Sequence, residues 1–187
     1  MNIYSEFIKN NEALLLVVDI QKVMLDLCVD AARTLKNAGA LIEIAKIFNL
    51  PIIFSVHNAE KLGGVAPELL NQTSDHQILN KVEFSCFENQ ALCSAIEASG
   101  KKTLVIAGLE THICIFQTAA LGLRMGYRVH VAADAICSRK NLNWKIGLRR
   151  LEMAGAVISS TEMVIFELLN RAATPEFRQA LPIIKTL

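Results

Sequence analysis

Apolar residues fall along this chain in two patterns. Some form short, nearly unbroken runs; others recur every three or four positions. Ala13–Val18, Pro51–Val56, Thr103–Ala107 and Tyr127–Ala132 are runs of the first kind, with Ala156–Ser159 a weaker one. None alternates with polar residues, which predicts strands of a parallel sheet covered on both faces. A sixth strand is expected near Gln77–Val82, beyond the loop-like Asn71–Asp75. The second pattern predicts helices. In Ala31–Phe48 the residues Leu35, Ala38, Leu41, Ile42, Ala45 and Phe48 share one face, and Pro51 closes the segment. Asn89–Ala98, Thr111–Met125 and Asn141–Ala154 each run up to a glycine stop, at Gly100, Gly126 and Gly155. Thr161–Leu169 and Thr174–Ile184 follow, the second with Pro175 just after a Thr cap. Strand alternating with helix predicts right-handed βαβ crossovers. The expected fold is therefore α/β: a three-layer αβα open parallel sheet, Rossmann-like, of about six strands.

Composition narrows the class. A chain of 187 residues is read as one domain spanning 1–187. Nineteen basic against 18 acidic residues give a formal charge of +1, so no basic stripe argues for a nucleic-acid or anionic-membrane partner. Apolar residues make up 52%, which excludes disorder and leaves surplus apolar surface for a homo-oligomer interface. The run Ala13–Val18 is far below the ~20 residues of a membrane span. The opening MNIYSEFIKNNE carries Glu6 and Glu12 and lacks the apolar stretch of a signal peptide. Five cysteines without a CxxC pair read as reduced thiols, hence a cytoplasmic location. Neither a G-x-G-x-x-G nor a Walker A pattern occurs, and no cofactor is expected.

Open parallel sheets place ligands at the carboxyl ends of their strands. Asp19 ends the first strand, where a carboxylate is costly to bury without a cationic or donor partner, although it could equally cap the next turn. Cys114 falls in the first turn of the helix after the third long strand. There the unpaired N–H groups and helix dipole favour a thiolate near neutrality. Cys28, Cys93 and Cys137 read as inert thiols, and Cys86 lies next to a loop. Lys81 gains meaning if it meets Asp19: such a pair near a cysteine suits a covalent cysteine hydrolase.

Taken together, Asp19, Lys81 before Glu83-Phe84-Ser85-Cys86-Phe87, and Gly108-Leu109-Glu110-Thr111-His112-Ile113-Cys114 resemble the isochorismatase-like cysteine hydrolase superfamily, and within it the isochorismatase domain-containing hydrolases. The similarity runs from Leu14 to about Phe177 and takes in Val131–Arg139 and Met153–Glu162. It implies a catalytic triad of Asp19, Lys81 and Cys114, and a cis peptide bond at Leu109–Glu110. The oxyanion would then rest on the backbone N–H groups of Glu110 and Cys114. Glu110 stands where nicotinamidase-type members commonly have Thr, which alters the charge of the pocket. Those members also bind a metal through an Asp-x-His and a second His after the second strand. Here that stretch reads Ser55-Val56-His57-Asn58-Ala59-Glu60, and His76, His112 and His130 lack ligand spacing, so no metal is expected. Gln21, Leu25, His57, Phe84, Phe87 and Ile113 flank the triad in sequence and are the expected pocket walls, while His112 faces either pocket or solvent. The implied activity is hydrolysis of a C–N bond in a small amide-like molecule. The alternatives are a non-catalytic binding or oligomeric scaffold and, less favoured, a thiol redox protein.

Overall fold

The strand Ala13–Val18 (β1) sends alternate residues into two different cores. Ala13, Leu15 and Val17 enter one apolar cluster, and Leu14, Leu16 and Val18 enter the other. Burial on both faces is the physical reason that this run never alternates. The computed structural model describes residues 7–74 and 76–187. Residues 1–6, which begin the N-terminal stretch read above, and Asp75 of the loop before the weak strand lie outside the described residues.

Among the described residues, β2 (Ile52–His57), β3 (Gln77–Lys81), β4 (Thr103–Leu109), β5 (Arg128–Cys137) and β6 (Val157–Ser159) join β1 in one sheet. It is parallel throughout, in the order β3-β2-β1-β4-β5-β6. The helices in chain order are α1 (Lys22–Leu25), α2 (Ala31–Ile47), α3 (Ala59–Leu62), α4 (Pro67–Leu70), α5 (Gln90–Ala98), α6 (Phe116–Arg124), α7 (Asn141–Ala154), α8 (Thr161–Leu169) and α9 (Pro175–Ile184). Residues of α2, α8 and α9 fill the core on one face of the sheet. Residues of α5, α6 and α7 fill the other. This is the three-layer α/β fold that the hydrophobic pattern predicts. No helix among the described residues is long and apolar enough to cross a membrane.

Three departures lie at the carboxyl edge of the sheet. The strand expected over Tyr127–Ala132 continues as β5 to Cys137, because the β4–β5 register slips between Ile106 and Gly108 and pairs Gly108 with Ile136 and Leu109 with Cys137. The helix expected from Thr111 becomes regular only at Phe116; Thr111–Ile115 form a wider π-turn. The one-turn helices α1, α3 and α4, absent from the sequence reading, occupy the connections beyond β1 and β2.

The order of strands reverses at the β1–β4 seam, the place where such sheets open a crevice. Here Gly108 pairs with Val18 at a φ of 132°. A Cβ on Gly108 would lie 2.0 Å from the Val18 carbonyl oxygen, so the two strands can close up only around glycine.

Candidate active site

Asp19 is the first residue beyond β1. It takes a φ of 54°, in the left-handed region that Asp tolerates better than most residues. Its N–H donates to the Ser55 carbonyl at 3.0 Å, and Ser55 Oγ donates to Asp19 Oδ1 at 2.6 Å. The other carboxylate oxygen, Oδ2, accepts from Lys81 Nζ at 2.5 Å. The sheet explains the meeting. β2 lies between β1 and β3, and its register sets Ser55 opposite Val18 and His57 opposite Lys81. Two strand ends thus deliver a carboxylate and an ammonium across one intervening strand. The pair is almost wholly buried, with Asp19 3% and Lys81 1% exposed. Burial alone pulls the Lys81 pKa down, but attraction to Asp19, Cys114 and Cys86 outweighs it, and the pKa ends above its ordinary value.

Cys114 sits in the π-turn between β4 and α6, buried. Its Sγ, a nitrogen of His57 and an oxygen of Asp19 all lie within 4.8 Å of one another. Burial, and then the negative charge of Asp19, push the Cys114 thiol up; the Lys81 cation offsets only part of this. Loss of water beside a carboxylate thus works against the expected resting thiolate and favours the protonated thiol. Burial and Asp19 also push the neighbouring Cys86 thiol up, to about 11. The Leu109–Glu110 peptide bond is cis.

A cavity of about 310 Å³ opens against Asp19 and Cys114. Of the residues expected as its walls, Gln21, His57, Phe84 and Ile113 line it. Leu25 and Phe87 do not. Leu25 is turned into the core beneath α2, and its neighbour Met24 faces the cavity instead, because successive residues of a one-turn helix diverge by about 100°. Phe87 packs on Tyr127 at 5.3 Å within the opposite core. Gln21 is fully buried and works as a clamp. Its Oε1 accepts the His57 N–H at 2.7 Å, while Nε2 donates to the carbonyls of His57 at 3.0 Å and Gly63 at 2.6 Å. His112 is turned aside, its ring nitrogens 3.1 Å from Ser138 Oγ and 3.2 Å from Asn143 Nδ2.

Glu110 does not present a bare charge to the cavity. Its carboxylate accepts from the Arg139 backbone N–H at 2.9 Å and from Arg139 Nε at 3.0 Å. Arg139 also lines the cavity with half of its side chain exposed, and its terminal nitrogens meet no hydrogen-bond partner among the described residues. Sequence reasoning missed Arg139 and Ser55. A polar residue interrupting the run Ile52–Val56, and an arginine two positions beyond β5, were the available signals. Clefts of about 790 and 710 Å³ lie near Pro51 and Thr73 and near Phe7 and Glu167; neither is lined by a cysteine.

The comparisons agree with this fold. The isochorismatase domain family model matches residues 13–163. The secreted isochorismatase effector Isc1 of Phytophthora sojae is 30% identical over 179 residues, covering 94% of this chain and 85% of its own. Two solved structures of YcaC are each 28% identical. One, from Pseudomonas aeruginosa with hexane-2,5-diol and covalent acrylamide, has a TM-score of 0.88 and covers 96% of this chain and 92% of its own. The other, from Escherichia coli, is an octameric hydrolase of unknown specificity with a TM-score of 0.86, covering 96% and 88%. A MAR1 ribonuclease from Caenorhabditis elegans is alike in fold, at 24% identity, a TM-score of 0.91 and coverage of 96% and 93%. With its six parallel strands between two layers of helices, this chain belongs to the isochorismatase-like hydrolase family.

Proposed function

We propose that this hydrolase cleaves a C–N bond of a small amide through a thioester on Cys114. One observation carries the reading: a buried lysine–aspartate pair lies against a cysteine that lines a cavity of small-molecule size. The thiol proton passes to Asp19 as sulfur attacks the amide carbon. This fits a thiol that burial and the Asp19 charge push up and whose sulfur lies within 4.8 Å of the carboxylate. Lys81, with its raised pKa, stays cationic beside the developing thiolate. The tetrahedral oxyanion is assigned to the N–H groups of Glu110 and Cys114. Collapse breaks the C–N bond, and Asp19 returns its proton to the departing ammonia or amine. Water then attacks the thioester, gives a proton to Asp19, and that proton restores the thiol as the carboxylic acid leaves.

The walls supplied by Met24, Leu62, Phe84, Leu109 and Ile113 suit an apolar body. The unspent donors of Arg139 suit a substrate whose far end is a carboxylate or another strong acceptor. Such a pocket fits a small acid amide better than a polyanionic chain. The octameric YcaC supports an assembly of several copies for this chain as well.

The test is a panel of small primary amides, with and without a terminal carboxylate, assayed with wild type and Cys114→Ala. Ammonia release that disappears in the variant supports the proposal, and equal turnover by both overturns it. In the same assay Arg139→Gln is expected to raise KM for carboxylated amides about tenfold or more and to leave kcat less affected. If no amide in the panel is turned over, the scaffold alternative replaces this reading.

A further inference from the structure

We propose that Asp19, His57 and Cys114 form a binding site for a zinc ion that acts as a reversible blocker of the nucleophile. The three side chains bring one carboxylate oxygen, one imidazole nitrogen and one sulfur to within 4.8 Å of each other. Zinc accepts this mixture of donors in tetrahedral geometry, with bonds of about 2.0–2.3 Å and ligand atoms therefore about 3.5 Å apart. A closure of at most about 1.3 Å brings the three atoms to that spacing.

A second observation is independent of that distance. His57 Nδ1 is buried and meets no hydrogen-bond partner among the described residues. A buried ring nitrogen without a partner is unfavourable, and a metal bond satisfies it. The residue is also held ready. Gln21 clamps its backbone N–H and carbonyl, and Phe84 stacks on its ring at 5.5 Å with planes 14° apart. Asp19 accepts one hydrogen bond each from Ser55 and Lys81 on different oxygens, which leaves lone pairs for a further bond. The ion takes the place of the Cys114 thiol proton and sits between the sulfur and the carboxylate.

The arrangement differs from the Asp-x-His site of the nicotinamidase-type members, because here the proposed nucleophile is itself a ligand. Replacing one proton by a divalent ion adds one positive charge beside Lys81. That repulsion makes the ion removable by a chelator rather than resident. The inference rests on the geometry of the cluster and does not require amide hydrolysis, so its failure and the failure of that reading are separable.

The experiment uses the full chain, reduced and metal-free. Zinc is titrated against a chromophoric chelator, and cobalt(II) is titrated while thiolate-to-metal absorption is recorded. Wild type is expected to bind one equivalent, with affinity about tenfold or more weaker in His57→Ala and the cobalt–thiolate band absent in Cys114→Ser. Peptide-resolved iodoacetamide labelling of wild type is expected to slow about tenfold at Cys114 with zinc, to recover with EDTA, and to be unchanged at Cys93. Binding of equal strength in wild type and His57→Ala, or full labelling of Cys114 under saturating zinc, overturns the proposal. If Cys114→Ser fails to fold by circular dichroism, the His57→Ala titration and the wild-type labelling decide it.

Discussion

At the scale of single residues, the centre of the site is a pair of opposite charges taken out of water together. The two partners are not equivalent to lose. Lys81→Met keeps most of the side-chain volume but leaves Asp19 with Ser55 as its remaining side-chain hydrogen-bond donor. An uncompensated buried charge of this kind costs about 3–5 kcal/mol, so urea unfolding is expected to show a loss of that order. A loss below about 1 kcal/mol would mean that water reaches the carboxylate. Asp19→Asn keeps the shape and an acceptor for Lys81 but leaves that buried cation without its counter-charge, so a stability loss of the same order is expected and the two substitutions differ in their chemistry. The kcat/KM of Asp19→Asn on any amide found is expected to fall roughly 10²–10⁴-fold, the contribution of a positioned base. Asp19 was legible in the sequence because it ends an apolar strand, whereas Lys81 ends the largely exposed β3 and gained meaning only beside Asp19. Ser55 and Arg139 were harder to see, since each matters through a contact more than 25 positions away in the chain. Met24 and Leu25 show the same limit more finely: adjacent apolar residues point to cavity and core, and hydropathy does not tell them apart.

At the scale of elements, what could be read was whatever a hydrophobic period encodes. The strands β1, β2, β4 and β6 and the long helices follow from such periods, while β3, which is largely exposed, gave the faintest signal. The π-turn at Thr111–Ile115 could not be read this way, because it shifts the backbone hydrogen-bond register without changing which residues are apolar. Its consequence for Cys114 is large, since the sulfur lies buried beside Asp19 rather than at an open helix end. The β1–β4 seam is the element-level feature most exposed to test. Gly108→Ala brings a methyl carbon to 2.0 Å from the Val18 carbonyl oxygen at a positive φ, and neither backbone can yield without moving Asp19. Destabilisation of about 3 kcal/mol or more is expected in thermal or urea unfolding. Gly64→Ala is the control, because a Cβ there meets nothing within 4 Å. Equal losses for the two substitutions would show that the seam relaxes.

At the scale of the whole molecule, stability against pH turns on a residue that the proposed chemistry does not use. The formal charge of +1 makes general charge repulsion small near neutrality, so individual buried groups dominate. His130 lies inside β5, paired in register with Val105 and Val157, and is 2% exposed with Nδ1 unpartnered among the described residues. Burial first, and the nearby Arg128 cation second, lower its pKa from 6.5 to about 4. The folded protein thus holds this imidazole neutral at a pH where the unfolded chain has begun to protonate it. The unfolded state binds more protons between about pH 6.5 and 4, so stability falls as pH falls through that window and is fully present above it. Between pH 7 and pH 5 the loss assigned to this one group is about 2 kcal/mol. His130→Val keeps a strand-forming, apolar side chain and removes the titration. Whatever the substitution does to stability at pH 7, its further loss on going to pH 5 is expected to be smaller than that of wild type by about that amount, measured by urea unfolding at both values. Parallel losses in the two proteins would mean that the imidazole finds water or a counter-charge when protonated, and that the acid sensitivity of the fold arises from its carboxylates instead.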